Sequence, residues 1–274
     1  MHDDAAAAEE IEATPTIVIS PENLAVARAY GIVPDIHETD FIYWFVNRRW
    51  GGDHERAVRN YYDLGVYSAR LVNDILTEVA RVKAATGTPW TPTRMLDFAS
   101  GYGNTARHLP NVMPSYQSGA CDIHEAAVRF ISEKLGLRSH LSSTVPERLD
   151  LPEQDVIFAL SFFSHMPNAS YSRWIGALAR HLAPGGVLIF TANGHVTDIT
   201  GGTPGTKAGP NGFGFTAMSE QRDLDGSDYG LTLSYPKWVF YTLQQHPELR
   251  LSRFQEGFWW ARQDLYVCIR EEKA

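Results

Sequence analysis

The chain has 274 residues, 44% hydrophobic and 20% charged, which allows a sizeable core and excludes global disorder. A formal charge of −8 disfavours a chain-wide nucleic-acid surface, because phosphates call for clustered cations. Two cysteines, Cys121 and Cys268, cannot make a disulfide scaffold; apolar runs such as Gly185 to Phe190 are too short for a bilayer span, and the N-terminus lacks the pattern of a signal peptide. The expectation is a soluble cytoplasmic protein with no nucleic-acid or membrane partner.

In chain order, residues 1–20 are rich in Ala and Glu without an apolar period and read as a mobile tail. Residues 21–90 read as helical, a cap or lid. Leu71, Val72, Ile75, Leu76 and Val79 recur at helical spacing, so one face there is buried. The Trp44, Trp50, Tyr61 and Tyr62 rings either close over a ligand or form the core of that cap, and Arg59 with Tyr62 either reaches a ligand carboxylate or lies on an exposed helix face.

From residue 91 to 274 short apolar runs alternate with helical patterns. Strands are expected at Arg94–Phe98, Gln117–Asp122, Leu137–Ser142, Val156–Ser161 and Val187–Phe190. A short helix is expected from Asn104 and a longer one over Glu125–Leu135, and a third places Trp174, Leu178 and Leu182 on one face. This alternation predicts an open α/β sheet of parallel strands with helices on both faces. A helix near Trp238–Gln245 precedes Leu251–Glu256 and Asp264–Arg270, which are close enough to form an antiparallel hairpin. Six glycines between Asp198 and Phe215 mark either a surface loop or a flap beside a substrate.

The chemistry concentrates at Met95 to Asn104, where a strand ends in a glycine turn. Gly101 and Gly103 let a ligand approach the backbone closely. Gly101-x-Gly103-x-x-Ala106 also fits a dinucleotide turn. Asp122 ends the next strand, where a carboxylate accepts hydrogen bonds from ribose hydroxyls. That ribose is common to NAD and S-adenosylmethionine. Asp97 either satisfies loop N–H groups or discriminates between NAD and S-adenosylmethionine, because a carboxylate at the strand tip repels a pyrophosphate and favours a cationic ligand.

Asp97-x-Ala99-x-Gly101-x-Gly103, Asp122, the run Asp155 to Ser161, and Leu182-Ala183-Pro184-Gly185-Gly186 before a strand resemble class I S-adenosylmethionine-dependent methyltransferases. The resemblance covers roughly residues 60–270. It implies a Rossmann-like, doubly wound, seven-stranded, mostly parallel sheet with an antiparallel last strand. It implies that Ala99, Ser100, Gly101 and Gly103 hold the methionine end of S-adenosylmethionine. Asp122 and Ile123 would lie by the ribose, Thr144 by the adenine, and Leu160 and Ser161 beside the cofactor. The sequence departs from the family at Ala99, where Gly is usual, and at Ser143, where an acid often meets the adenine amine. More narrowly, Phe162 to Pro167 and Phe190 to Gly194 look like methyltransferases encoded with sugar and polysaccharide biosynthesis enzymes.

A hydroxyl acceptor must lose a proton, and His165 and His195, after the fourth and fifth strands, are the candidate bases; for each, a purely structural role is the alternative. No Asn-Pro-Pro-Tyr or Asp-Pro-Pro-Tyr signature follows the fourth strand, which lowers N-methylation of bases or amides. Metal ligation is not expected: His37, Glu38 and Asp40 lack zinc spacing, and Asp223-x-Asp225-Gly226-x-Asp228 lacks the closing Glu of a calcium loop. The reading is a methyltransferase acting on a small or medium-sized acceptor, at a hydroxyl of sugar or natural-product type, with S-adenosylhomocysteine as product. An NAD-dependent oxidoreductase and a non-catalytic binding subunit are the competing readings.

Overall fold

The computed structural model describes residues 16–219, 221 and 223–271. Most of the expected N-terminal tail, residues 1–15, lies outside the described residues.

Three helices come first. α1 (Pro21–Tyr30) is capped by Ser20, whose side chain accepts from the Asn23 amide. α2 (Phe41–Arg49) is capped by Asp40 and α3 (His54–Ala85) by Asp53. The 32-residue α3 has two jobs. Its first half places Ala57, Val58, Tyr61 and Tyr62 against α1 and α2. Its second half lays Ala69, Val72, Ile75, Leu76 and Val79 on one face of the sheet. Burying each of these larger aliphatic side chains stabilises by roughly 1.5–3 kcal/mol. The stretch expected to be a cap thus also supplies a layer of the sheet core.

The sheet strands are β1 (Arg94–Phe98), β2 (Gln117–Asp122), β3 (Arg138–Leu141), β4 (Gln154–Ala159), β5 (Leu182–Asn193), β8 (Leu249–Trp259) and β9 (Gln263–Arg270). Their order is β3-β2-β1-β4-β5-β9-β8. The first five are parallel, and β9 runs antiparallel to both β5 and β8. The expected seven-stranded sheet with its antiparallel last strand is present. On the face opposite α3, α6 (Asn168–Arg180) and α8 (Pro236–Leu243) bury Trp174, Ile175, Leu178, Val239 and Leu243. α5 (Glu125–Lys134) covers the β2–β3 edge. The strand order reverses between β1 and β4, the point at which open α/β sheets leave a ligand crevice beyond their carboxyl ends.

Four local expectations need correction. No α-helix starts at Asn104. Turns lead into a 3-10 turn at Ala106–His108, whose Ala106 carbonyl accepts from the Leu109 amide because Pro110 has no N–H to offer it, and the one-turn α4 (Leu109–Val112) follows. Leu182 is not on the helix face with Trp174 and Leu178; α6 ends at Arg180 and Leu182 begins β5, pairing with Gln154. Pro184-Gly185-Gly186 forms a bulge inside β5 instead of preceding it, since pairing jumps from Leu182 to Val187 while β4 advances from Gln154 to Val156. The glycine-rich stretch is not one loop: α7 (His195–Ile199) opens it, and β6 (Phe213–Thr216) at its end forms a separate hairpin with β7 (Leu231–Ser234).

Gly65, midway along α3, marks where this helix meets the glycine turn. A Cβ there would lie 2.2 Å from the Asn104 carbonyl oxygen and 2.7 Å from the His108 ring. Helix propensity alone favours Ala over Gly by roughly 1 kcal/mol. The clash with backbone reverses the sign, and Gly65→Ala is expected to destabilise the protein by about 2 kcal/mol in urea unfolding. A stabilised variant would show that the turn does not abut the helix.

No helix among the described residues is long and apolar enough to cross a membrane.

Candidate functional site

The tips of β2, β1 and β4 are neighbours, so their carboxyl ends bring most of the expected cofactor residues together. Asp97 lies near the end of β1 and is only 3% exposed. Its Oδ2 is buried without a hydrogen-bond partner. Burial, with the nearby Asp122 charge adding to it, pushes the Asp97 carboxyl up to about 8. Ala99 follows with φ +57, a left-handed conformation that costs an alanine about 1–2 kcal/mol. Strain of this kind collects at functional turns. Ser100 is held by its amide to the Cys121 carbonyl at 3.1 Å.

Gly101 and Gly103 both have positive φ. The space over the Gly101 Cα is open, whereas a Cβ at Gly103 would meet Leu135 at 2.7 Å. Gly101 therefore faces the crevice and Gly103 lets the turn pack on α5. The Gly101 amide donates to Asp122 Oδ2 at 2.7 Å. Asp122 Oδ1 accepts from the His124 amide at 3.0 Å and lies 2.8 Å from His124 Nδ1. One carboxylate thus ties the glycine turn to the tip of β2. Ile123 is half-buried beside it. Thr144 is exposed on the segment after β3, a segment that reaches the crevice through the Ser142 amide and the Asp122 carbonyl.

Leu160 and Ser161 follow β4 and are half-buried. Ser161 has φ +63. Its amide donates to Thr191 Oγ1 at 2.8 Å, and its Oγ accepts from Gln263 Nε2 at 2.6 Å. Thr191 Oγ1 in turn donates to Gln263 Oε1. This buried knot from β5 and β9 fixes a strained turn after β4. Sequence reasoning missed Thr191 and Gln263, whose partners are remote in the chain.

The two histidines differ. His165 is half-buried, its Nδ1 is 2.8 Å from the Gly230 carbonyl, and its ring stacks on Tyr229 at 4.3 Å. Burial lowers its pKa to about 4. The ring is neutral at pH 7, and an Nδ1–H donated to Gly230 leaves Nε2 as the lone-pair nitrogen. His195 begins α7, is exposed, and lies against Tyr235 with centroids 3.8 Å apart. The Tyr235 hydroxyl donates to Asp198.

Arg107 also went unmarked in the sequence, yet it organises the turn. It is 4% exposed. Its guanidinium donates to the carbonyls of Gly103, Tyr102, Val33 and Asp35 and to the Tyr61 hydroxyl. Tyr61 donates to Asp40 at 2.6 Å, and the Arg107 charge partly offsets the burial that raises the Asp40 pKa. Tyr61 and Tyr62 are therefore cap core, as is part of Trp44, while Trp50 is exposed. Arg59 pairs with Asp63, and the Tyr62 hydroxyl donates to Pro34, so neither reaches the crevice. Among the described residues, no group of three or more His, Cys, Asp or Glu is placed to hold a metal ion.

Residues 96–188 match a family model described as a methyltransferase domain. That span contains Asp97, the glycine turn, Asp122, Ser161 and His165. The similarity of this span is to methyltransferase domains, and it covers about a third of the chain. No curated protein gives a sequence match. Among solved structures, Streptomyces venezuelae DesVI is 15% identical, covering 86% of this chain and 99% of its own, with a TM-score of 0.53. An O-methyltransferase family protein from Burkholderia thailandensis is 15% identical, covering 92% of this chain and 69% of its own, with a TM-score of 0.50. The PH0226 protein from Pyrococcus horikoshii OT3 is 12% identical over 66% of this chain and 82% of its own, also with a TM-score of 0.50. At these identities the structures establish a shared fold.

Proposed function

We propose that the crevice at the tips of β1, β2 and β4 binds S-adenosylmethionine, and that the enzyme moves its methyl group to a hydroxyl of a small or medium-sized acceptor. The observation that carries this reading is Asp97, whose buried Oδ2 has no partner beside a second buried acid. A ligand with an ammonium group answers that carboxyl, whereas a pyrophosphate is repelled by it. When bound, S-adenosylmethionine supplies a methyl group on a cationic sulfur and leaves as S-adenosylhomocysteine.

In this reading Ala99, Ser100, Gly101 and Gly103 cradle the methionine end, and Asp122 accepts from the ribose hydroxyls. Ile123 lies beside the ribose and Thr144 on the adenine side, and Leu160 and Ser161 flank the sulfur. Aligning the acceptor with the methyl can supply roughly 7–11 kcal/mol of the barrier reduction. His165 is the first candidate to take the acceptor proton, through Nε2, and His195 on the rim is the second. The resemblance of Phe162 to Pro167 and Phe190 to Gly194 to sugar-cluster methyltransferases points to a sugar or natural-product hydroxyl.

Proton linkage tests the reading. Asp97 has a folded pKa of about 8 against an ordinary 3.8, so the free protein keeps a proton there that the unfolded chain loses. The stability this contributes is present at low pH and is lost as pH rises from about 4 towards 8. A cationic ligand favours the ionised form, so binding near pH 7 is expected to release about one proton. Calorimetry in buffers of different ionisation enthalpy measures this directly; binding at pH 7 with no proton release contradicts the pairing.

For His165 the low basicity limits proton abstraction, so alignment dominates. His165→Ala is expected to lower turnover about 10- to 100-fold, the low end for a general base, with S-adenosylhomocysteine affinity kept within threefold. Because the folded pKa is near 4, the acid limb of the turnover profile falls near pH 4 to 5 instead of 6.5. Unchanged turnover removes His165 from the reaction.

A further inference from the structure

The chain between β6 and β7 is tied to both sides of the crevice. Asp223 Oδ2 lies 2.9 Å from His124 Nε2, at the tip of β2. Seven residues on, Gly230 and Tyr229 engage His165, after β4. The Gly230 amide also donates to the His165 carbonyl. β2 and β4 are the two neighbours of β1, so residues 223–230 bridge the tips on either side of the glycine turn. The Asp223 charge also acts on the Tyr102 phenol, which belongs to that turn.

His124 has a carboxylate on each ring nitrogen: Asp122 at Nδ1 and Asp223 at Nε2. Carboxylates only accept hydrogen bonds, and a neutral imidazole has a single N–H. Both bonds therefore form together only on the imidazolium. We propose that His124 is a positioning residue that orients Asp122 and, while doubly protonated, latches the 223–230 strap over the crevice. The two carboxylates are the charged groups acting on the ring, and both hold its pKa above the ordinary value against the opposing effect of burial. A raised histidine pKa means the latch is complete below about pH 6.5 and is lost as pH rises through the raised value. Asp223 is 65% exposed, so the latch is weak and reversible, suited to admitting and releasing a ligand.

The proposal rests on the crevice being the cofactor site, but its first test uses the free protein. Hydrogen exchange of amides in 223–231, corrected for intrinsic rates, is followed from pH 5.5 to 9 in the wild type, Asp223→Asn and Asp223→Glu. The wild type is expected to show roughly two- to fivefold more protection at pH 6 than at pH 8.5. Asp223→Asn should lose that difference and Asp223→Glu should keep it. Because Asp97 is intact in all three proteins, its own titration cancels in the comparison. Identical profiles for the wild type and Asp223→Asn overturn the latch. The second readout is the dissociation rate of S-adenosylhomocysteine, expected to rise with pH in the wild type and to be fast at every pH in Asp223→Asn. A pH-dependent strap in a protein that binds no S-adenosylhomocysteine would retain the latch and remove only the cofactor reading.

Discussion

Asp122→Asn is expected to weaken S-adenosylhomocysteine binding by about a hundredfold, equivalent to about 2.7 kcal/mol. In the proposed site two ribose hydroxyls lose a charged acceptor, and hydrogen bonds to charged groups are worth about 1.5–3 kcal/mol each. The same carboxylate anchors the Gly101 amide and His124, so the turn also loses its tie to β2. Stability should change far less than affinity. The variant removes a like charge that raises the Asp97 pKa, and this relief offsets part of the lost hydrogen bonding. A second signature follows: the proton released on binding near pH 7 should decrease, because Asp97 ionises at lower pH in the variant. Calorimetry reads both quantities in one titration. Affinity within threefold of the wild type would show that Asp122 does not hold the ribose.

Arg107→Met carries the largest expected effect on stability. The substitution keeps an apolar stem but removes the guanidinium donor from four backbone carbonyls and the Tyr61 hydroxyl, of which only the Gly103 carbonyl keeps a second donor, the residue-107 amide. It also leaves the buried Asp40 carboxylate without the charge that offsets its burial. Removing one partner of a buried charged network costs about 3–5 kcal/mol. For a protein of this size that corresponds to a fall in Tm of roughly 10 °C. Arg107→Lys should recover little, since one ammonium cannot reach carbonyls on both the cap segment and the turn. Because the guanidinium joins residues 33–35 to 102–103, cofactor affinity should fall with stability. Thermal unfolding followed by circular dichroism decides this; a Tm within 2 °C of the wild type would mean that Arg107 is not what joins cap and turn.

Much of the sheet was legible in the sequence because parallel strands are buried on both faces and read as short apolar runs. Val187 to Phe190 and Val156 to Ala159 are such runs, and both form central strands. The glycine turn was legible because Asp97, Gly101 and Gly103 have chemical reasons for their spacing. The β6–β7 hairpin was not: its four-residue strands are embedded in glycine-rich sequence and carry no long period. The helix expected at Asn104 failed because Pro110 removes a donor two turns later than the glycines suggest a start. At the candidate site, His124 carried a local signal, following Asp122 by two residues. Arg107, Thr191 and Gln263 carried none. Apart from the Tyr102 and Gly103 carbonyls beside Arg107, their partners lie 30 to 102 positions away, including the Val33 and Asp35 carbonyls and the Ser161 hydroxyl. α3 shows the same limit, since one uninterrupted helical pattern serves two different cores.

The central claim is that two buried acids and a glycine turn hold a cationic methyl donor. It is tested most directly by titrating the purified protein with S-adenosylhomocysteine and, separately, with NADH in a calorimeter at pH 7. The account predicts one saturable site per chain for S-adenosylhomocysteine and no heat of binding for NADH. Saturable binding of NADH with no response to S-adenosylhomocysteine would contradict it.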